Sequence, residues 1–282
     1  MKAASIVYNR AGSLEEAINI AKAVDGTPKY IAGGQSLMPM MNLRLAMSDG
    51  LIDISDIAAL RETRRTGDKL FIGAAITHAS IEDGKVEDTT QGYLRHVAAG
   101  IAYRAVRNKG TVGGSLVHAD PAADWPTAML ALDAIAVIMG DDGNRNVPLA
   151  DFQLGLMETC LGNTELLLGV LVPELSAEAR WSYTKFTRKS GEFAHSIGAV
   201  VIDPRSNLAN VVLGAAASKP VVMRRLSERL TEGLSADEAT SSALQRLLEQ
   251  DLSDATQSEP ESYEFHLHKT IVTRALVEAL KK

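Results

Sequence analysis

Up to about residue 173, the pattern of apolar and polar positions alternates between helical and strand-like spacing. Ser13 and Glu16 have the spacing of a capping box, and the apolar positions after them predict a first helix over about 13–24. Helical spacing returns over 91–104. Short apolar runs bounded by Gly, Pro or Asp predict strands at 29–32, 51–54, 69–77, 133–139 and 165–173. This part of the chain is therefore predicted to mix helices with strands.

The rest of the chain changes from strands to helices. Three strand-like segments, at 181–189, 195–202 and 209–217, predict an antiparallel sheet. Helices are predicted at 220–231, from 235 to about 250, and at the C-terminus. The last of these has an apolar stripe made of Ile271, Val272, Ala275, Leu276, Ala279 and Leu280. Strands followed by helices indicate an α+β domain, with a boundary in the polar stretch 173–180. The polar stretch 252–262 is predicted to be a mobile loop.

Length, composition and charge exclude several classes of protein. A chain of 282 residues favours two domains. The sequence is 46% hydrophobic and 23% charged, and no apolar run approaches the roughly 18 residues of a membrane span. The first residues lack a secretory signal pattern, which predicts a cytoplasmic location. A net charge of -6 argues against nucleic acid as a partner.

Two glycine-rich segments of similar kind are the strongest candidates for a binding site. Ala32–Ser36 follows a predicted strand and contains Gly33 and Gly34, and Thr111–Ser115 contains Gly113 and Gly114. Consecutive glycines let main-chain N–H groups approach an anion, and the flanking hydroxyls add donors. Neither a G-x-G-x-x-G after a strand nor a P-loop pattern is present. The two segments together predict a diphosphate site of another kind, which suits a dinucleotide.

Other residues with reactive side chains do not form a convincing catalytic or metal site. Asp120 and Asp124 follow the second glycine segment, where a carboxylate accepts from ribose or ribitol hydroxyls or forms an Asx turn. The histidines lack metal-binding spacing, and His266 and His268 are predicted to lie on the surface. The methionines at 38–47 are interpreted as core residues. Cys160 is the only cysteine, so no disulfide can form within the chain, and no base lies near it in the sequence. We therefore predict no catalytic and no metal-ligating residue.

The sequence resembles a known family in the order and spacing of four motifs. These are "AGGQS", "TVGGS", "ADPAAD" and the downstream "ELLLGVLVP…YTKFTRKSGEFA". The chain is similar over essentially its full length to the FAD-binding medium subunit of molybdenum hydroxylases, the xanthine dehydrogenase and carbon monoxide dehydrogenase family. The resemblance implies an α+β fold with an FAD-binding domain of the PCMH, or vanillyl-alcohol-oxidase, type over 1–176. Its two subdomains would cover about 1–55 and 56–176, and a C-terminal domain with a small antiparallel sheet and helices would cover 177–282.

The resemblance also implies which residues contact FAD. The two diphosphate loops fall on Ala32, Gly33, Gly34, Gln35 and Ser36, and on Thr111, Val112, Gly113, Gly114 and Ser115. Asp124 matches a residue that contacts the ribityl region, and Ile101, Leu168 and Lys185 match positions near the flavin. From the residues alone, Leu168 is a buried strand residue and Lys185 a solvated one. Gln35 replaces the histidine that tethers flavin covalently in part of the wider fold class, so noncovalent FAD is expected.

The function that the resemblance implies is electron transfer within a larger complex. A [2Fe–2S] subunit would pass electrons from a large molybdopterin subunit through FAD to an external acceptor, in a dimer of heterotrimers. A single cysteine excludes the family branch that carries an additional [4Fe–4S] cluster. The absence of a nucleophile or base fits a relay subunit. The alternatives are a self-contained FAD oxidoreductase of the same fold class and a non-catalytic nucleotide-binding scaffold. The substrate of the complex and its terminal acceptor are not encoded in these motifs.

Overall fold

The structure is a computed structural model that describes residues 5–235 and 237–281. Residues 1–4 and 282, at the ends of the predicted domains, lie outside the described residues, as does Ala236 in the helix predicted from 235. The helices are α1 (Leu14–Ala23), α2 (Leu37–Asn42), α3 (His78–Glu82), α4 (Tyr93–Gly100), α5 (Arg104–Arg107), α6 (Val112–His118), α7 (Asp124–Ala131), α8 (Leu149–Phe152), α9 (Arg224–Thr231), α10 (Ser242–Ala255) and α11 (Tyr263–Lys281). The strands are β1 (Val7–Arg10), β2 (Pro28–Ile31), β3 (Gly50–Asp53), β4 (Thr63–Thr66), β5 (Lys69–Gly73), β6 (Ile135–Gly140), β7 (Gly143–Pro148), β8 (Gln153–Gly155), β9 (Glu158–Thr159), β10 (Leu166–Pro173), β11 (Arg180–Phe186), β12 (Ser196–Asp203), β13 (Leu208–Gly214) and β14 (Val221–Val222).

The N-terminal segment forms a small parallel sheet in the order β1-β3-β2. The first predicted helix is confirmed as α1, and the Ser13 hydroxyl accepts from the Glu16 N–H at 3.1 Å as the capping box requires. Ala17, Ile18 and Ala21 are buried on one face of α1, which packs against β3. β2 is an edge strand, and its C-terminal end leads directly into the first glycine segment.

A five-stranded antiparallel sheet, in the order β4-β5-β10-β6-β7, follows in the chain. β10 lies at its centre, and most of its side chains are buried, which explains its nearly continuous apolar sequence. The strand predicted over 69–77 ends at Gly73, because the next residues turn and the Thr77 hydroxyl caps α3 by accepting from the Ser80 N–H. The segment around Thr77 then makes an isolated bridge to Thr111 in the second glycine segment.

The antiparallel sheet predicted in the C-terminal part is confirmed, with β14 as an additional fourth strand in the order β11-β12-β13-β14. β12 is buried along its whole length because helices cover both faces of this sheet. Its residues alternate between two apolar clusters, so that Ala199 and Val201 face α7 while Val200 and Ile202 face the C-terminal helices.

Helix boundaries in the C-terminal part differ from the prediction in two regions. The helix predicted at 220–231 begins only at Arg224, as α9, because Val221 and Val222 pair with β13 as β14. The helix predicted from 235 to about 250 is present as α10, but its predicted start is wrong, because a 3-10 turn occupies Glu238–Thr240 and α10 begins only after Ser241, whose hydroxyl caps it. α10 also continues to Ala255, into the stretch predicted to be a mobile loop. The terminal helix is confirmed as α11, and the six residues of its predicted stripe are buried.

Candidate functional site

The two glycine segments, far apart in sequence, touch each other in the structure. An ideal Cβ on Gly33 would lie 2.0 Å from the carbonyl oxygen of Lys109 and 3.0 Å from the Cα of Gly110. Since Lys109 and Gly110 immediately precede Thr111, the backbone of the first segment packs against the residues that lead into the second segment. Glycine at position 33 is required by this close approach of two main chains.

The first segment, Ala32–Ser36, presents main-chain N–H groups that have no partner among the described hydrogen bonds. Gly34 adopts a left-handed conformation with φ +67°, and its carbonyl accepts from the N–H of Met38 at 3.1 Å to start α2. None of the described hydrogen bonds uses the N–H of Gly33, Gly34, Gln35 or Ser36. Ala32–Ser36 therefore has the free donors that an anion needs.

The second segment, Thr111–Ser115, differs from the expectation that both loops offer their amides. The N–H of Val112 donates to the Ile76 carbonyl at 3.0 Å and that of Gly113 to the Ala74 carbonyl at 2.9 Å. The N–H of Gly114 donates to the Thr111 hydroxyl at 3.0 Å, which is the N-cap of α6. Because these amides are already engaged, the segment offers a bound molecule its Ser115 side chain and the exposed backbone of Gly114.

His78 lies buried beneath the second segment and was not identified from the sequence. Its main-chain N–H donates to the Gly110 carbonyl at 3.0 Å, and its ring Nδ1 accepts from Nε1 of Trp125 at 2.9 Å. Burial, helped by the charge of Arg107, lowers the pKa of His78 to about 4, so the ring is neutral at ordinary pH. Since Trp125 follows Asp124, this hydrogen bond connects the second glycine segment to α7.

Asp124 lies at the start of α7, where it makes a buried polar cluster with two residues of β11. Its Oδ1 accepts from the Tyr183 hydroxyl and from Nζ of Lys185, both at 2.8 Å. The Asp124 and Lys185 side chains are only 11% and 19% exposed, so the solvated interpretation of Lys185 is wrong. Burial, reinforced by the nearby carboxylate of Asp124, raises the pKa of Tyr183 well above its ordinary value. The other carboxylate oxygen of Asp124 has no partner among the described hydrogen bonds.

Ile101 lies beside the cluster around Asp124, and Leu168 lies beside the second glycine segment. Nζ of Lys185 also donates to the Gly100 carbonyl at 2.8 Å, which holds the residue before Ile101 next to Asp124. The Leu168 carbonyl accepts from the N–H of Ala74 at 2.8 Å, and Ala74 is the residue whose carbonyl binds Gly113. Leu168 is buried, as its strand pattern indicates. The sequence-predicted residues thus form two neighbouring groups, one at the glycine segments and one around Asp124.

Several other expectations can be compared with the structure. Asp120 forms an Asx turn, since its Oδ1 accepts from the Ala122 N–H at 2.8 Å. His268 is not on the surface, because α11 packs against the sheet and buries its ring, whose Nδ1 lies 2.9 Å from the Ser196 hydroxyl. Within 38–47, only Met41 is fully buried, whereas Met38 and Met47 are exposed because this short segment lies at the surface.

Two further observations concern metals and membranes. Within residues 5–235 and 237–281, no group of three or more His, Cys, Asp or Glu side chains has an arrangement that could hold a metal ion. In the same part of the chain, every helix is too short or too polar to cross a membrane.

Comparison with known proteins gives consistent matches. Residues 3–175 match the family model described as the FAD binding domain in molybdopterin dehydrogenase. The nicotine 6-hydroxylase medium subunit of Paenarthrobacter nicotinovorans is 33% identical over 222 residues, which cover 78% of this chain and 77% of that protein. The carbon monoxide dehydrogenase medium chain of Hydrogenophaga pseudoflava is 33% identical over 219 residues, covering 77% and 76%.

A solved structure extends the similarity to almost the whole chain. It is the carbon monoxide dehydrogenase from Hydrogenophaga pseudoflava that lacks the Mo-pyranopterin moiety of the molybdenum cofactor. The match has a TM-score of 0.87 and 29% sequence identity, and it covers 99% of this chain and 98% of that chain. The mixed arrangement of sheets and helices is therefore shared along the full length, including the part that follows the matched family model.

Proposed function

Because this chain belongs to the family of FAD-binding domains of molybdopterin dehydrogenases, we propose that it carries electrons from a [2Fe–2S] partner subunit to an external acceptor. The family match and the medium-subunit relatives identify it as the FAD-containing medium subunit of a molybdopterin-dependent oxidoreductase. The molybdenum and iron–sulfur cofactors belong to other subunits. The relay role is the step that we add.

The residues of the two glycine segments fit a nucleotide with a diphosphate bridge. The observation that carries this proposal is the main-chain contact between Gly33 and Lys109, next to a loop whose amides are free. A loop of unpaired N–H groups is suited to an anion, and a side chain at position 33 would force the two segments apart. Bound FAD supplies a redox centre that the chain's own side chains lack.

We assign a different task to each group of residues. Ala32–Ser36 binds the diphosphate through main-chain N–H groups, and Thr111–Ser115 lines its other side with Ser115 and the backbone of Gly114. The Oδ2 of Asp124 accepts from ribityl hydroxyls, since Oδ1 is occupied by Tyr183 and Lys185.

The remaining assigned residues lie around the flavin ring. We assign Ile101, Leu168 and Lys185 to its surroundings, where the ammonium group of Lys185 would favour negative charge on the reduced ring. Gln35 has no nucleophilic nitrogen comparable to a histidine, which supports noncovalent binding.

The proposed domains follow the sheets. The parallel sheet of Val7–Asp53 supports a subdomain over about 1–55, and the five-stranded sheet that begins at Thr63 supports a second over 56–176 of a PCMH-type domain. The family match ends at residue 175, which supports a C-terminal domain over 177–282. We further propose that the chain assembles with a small [2Fe–2S] subunit and a large molybdopterin subunit as a dimer of heterotrimers.

The first experiment measures the cofactor. The chain is purified alone and together with the proteins encoded beside it, and flavin absorbance and FAD released by heat denaturation are measured for each preparation. We expect FAD in the supernatant, as noncovalent binding requires. A colourless protein that takes up no added FAD in either preparation would reject the flavoprotein assignment and leave the scaffold alternative.

The second experiment tests the direction of electron flow. The FAD-loaded chain is mixed without oxygen with a chemically reduced [2Fe–2S] partner, and bleaching of the flavin absorbance is followed in a stopped-flow instrument. We expect fast bleaching with the partner and none with candidate substrates alone. Reduction by a substrate in the absence of partners would instead support a self-contained FAD oxidoreductase.

A further inference from the structure

The turn that contains Ile101 is held by two cations that contact consecutive carbonyl groups. Nζ of Lys185 donates to the Gly100 carbonyl at 2.8 Å, and Nη1 of Arg107 donates to the carbonyls of Ile101 at 2.8 Å and Ala102 at 3.1 Å. Ala102 has φ +40°, a conformation that costs energy for a residue with a side chain. The turn is therefore kept in a strained form by its hydrogen bonds.

Arg107 is itself held in place by a second residue, Glu82 at the end of α3. Its Nε and Nη2 donate to the two carboxylate oxygens of Glu82 at 2.7 and 2.9 Å, which is a bidentate pair. The side chains are 12% and 20% exposed, so solvent screens this pair less than a surface ion pair. The hydrogen bonds from Arg107 lower the pKa of Glu82, which keeps the carboxylate charged.

Arg107 also lies close along the chain to the contact between the glycine segments. It is the last residue of α5, and only Asn108 separates it from Lys109 and Gly110, against which Gly33 packs. The N–H of Gly110 donates to the Val106 carbonyl at 2.7 Å, so the end of α5 determines where the second segment begins. The side chain of Arg107 thus holds the Ile101 turn, while the main chain of the same helix leads into the second glycine segment.

We propose that Arg107, held by Glu82, is a positioning residue for the flavin site that sets the placement of the Ile101 turn. This inference rests on the proposed function, because the turn matters only if FAD binds beside it. The described side-chain hydrogen bonds of Arg107 go to Glu82 and to the turn. Arg107 acts through the carbonyls of Ile101 and Ala102, which a planar guanidinium can bind while it keeps its fork on Glu82.

A neighbouring arginine provides a matched control. Arg104 also lies on α5 and donates to Glu82 at 2.8 Å and to both oxygens of Asp83, at 2.6 and 2.7 Å, but none of its described hydrogen bonds reaches the Ile101 turn. It is more exposed than Arg107. Arg104→Gln therefore removes a cation that contacts the Glu82 carboxylate but leaves every hydrogen bond to the Ile101 turn in place.

The test compares Arg107→Met, Arg107→Lys, Glu82→Gln and Arg104→Gln in the assembled complex. FAD affinity, the flavin absorption spectrum and the flavin reduction potential are measured well below the melting temperature of each variant. Arg107→Met removes both hydrogen bonds to the turn. A displaced turn that costs FAD the equivalent of one charge-assisted hydrogen bond predicts roughly tenfold to 100-fold weaker FAD binding. We also expect an altered spectrum and a shifted potential, because the turn no longer holds its position beside the ring.

The other variants give graded expectations. Arg107→Lys should keep more FAD affinity than Arg107→Met but less than the wild type. A single ammonium group cannot replace a planar guanidinium that binds both carbonyls and both oxygens of Glu82. Arg104→Gln should bind FAD as the wild type does, with the same potential. If Arg107→Met does not fold, Glu82→Gln, which keeps the side-chain shape and removes the charge, carries the same test in a milder form.

The results separate this inference from the proposed function. A wild-type complex without FAD in this subunit would refute the function before any variant is compared. A wild type that binds FAD, with Arg107→Met or Glu82→Gln showing unchanged affinity, spectrum and potential, would overturn the positioning role alone.

Discussion

Replacing Gly33 with alanine tests whether the two glycine segments must touch for the protein to bind its cofactor. The backbone of Gly33 does not lie in the left-handed region, so alanine introduces no conformational strain there. Its methyl group, however, would lie 2.0 Å from the Lys109 carbonyl oxygen and 2.6 Å from the carbonyl carbon. The neighbouring atoms are main chain and cannot move aside by changing rotamer.

The size of the displacement follows from ordinary contact distances. A carbon and a carbonyl oxygen approach to about 3.3 Å, so the segments must separate by roughly 1.3 Å. Overpacking of this kind costs typically about 1–3 kcal/mol of folding stability. For FAD, each charge-assisted hydrogen bond lost from the first segment costs about 1.5–3 kcal/mol, or roughly 10- to 150-fold in affinity.

The assay is titration of the FAD-free protein with FAD, followed by quenching of flavin fluorescence, with thermal unfolding measured in parallel. Gly12→Ala is the control, because its added methyl group meets only Glu16 Oε2, at an ordinary distance of 3.4 Å. We expect Gly33→Ala to fold but to bind FAD at least tenfold more weakly. Wild-type affinity in a folded Gly33→Ala protein would refute the idea that this main-chain contact shapes the site.

Three further changes test other parts of the site. Gly114→Val should abolish FAD retention while the protein stays folded, since Gly114 is exposed and an added Cβ would meet only the Thr111 hydroxyl, at 2.9 Å. Normal flavin absorbance in this variant would contradict the assignment of the second segment to the FAD site. Lys185→Met should lower the free energy of unfolding in urea by about 3–5 kcal/mol, because the buried carboxylate of Asp124 loses its counter-ion, and adding Asp124→Asn should recover part of this loss. His78→Gln should flatten the pH dependence of stability, because the pKa of His78 is about 4 in the folded protein, against an ordinary value of 6.5. The unfolded chain therefore binds a proton first, and stability falls as the pH drops through that range. The wild type should lose about 3 kcal/mol between those pH values through this group, and equal slopes in wild type and variant would be evidence against the buried neutral ring.

The glycine segments illustrate what the sequence can reveal about the site. Their composition and their place after a strand are local features, so Ala32–Ser36 and the strand before it could be located from the sequence alone. The contact between Gly33 and Lys109 could not, because it depends on how two sheets pack. Local sequence patterns locate the glycine-rich loop, whereas the packing of distant segments determines which residues that loop contacts.

Lys185 shows where a local interpretation fails. Taken by itself, a lysine in a strand that alternates polar and apolar residues is expected to be solvated. Tyr183 and Lys185 are two residues apart on β11 and therefore point to the same face, which the structure shows to be the face that meets Asp124. The spacing was available in the sequence, but the identity of the residue opposite this face was not.

The helix boundaries between α9 and α11 were missed for another reason. Polar residues dominate this region, and a serine is equally common as the capping residue of a helix and in the turn that precedes it. Ser235 makes its hydrogen bonds to Glu238 instead of starting a long helix, and Ser241 caps α10. Where side chains compete for the same main-chain groups, apolar periodicity alone cannot decide at which serine the helix begins.

The two glycine segments, although alike in sequence, are not alike in their hydrogen bonds, and this changes how the proposed site works. The amides of Val112, Gly113 and Gly114 are engaged with the protein, so the second segment is held by the protein's own hydrogen bonds before any ligand binds. The first segment keeps its N–H groups free and packs at Gly33 against the residues that lead into the second segment. A symmetric pair of anion-binding loops would lose affinity equally when either is altered. Here, substitutions in the first segment should remove donors, whereas substitutions in the second should change the shape of the space in which those donors act.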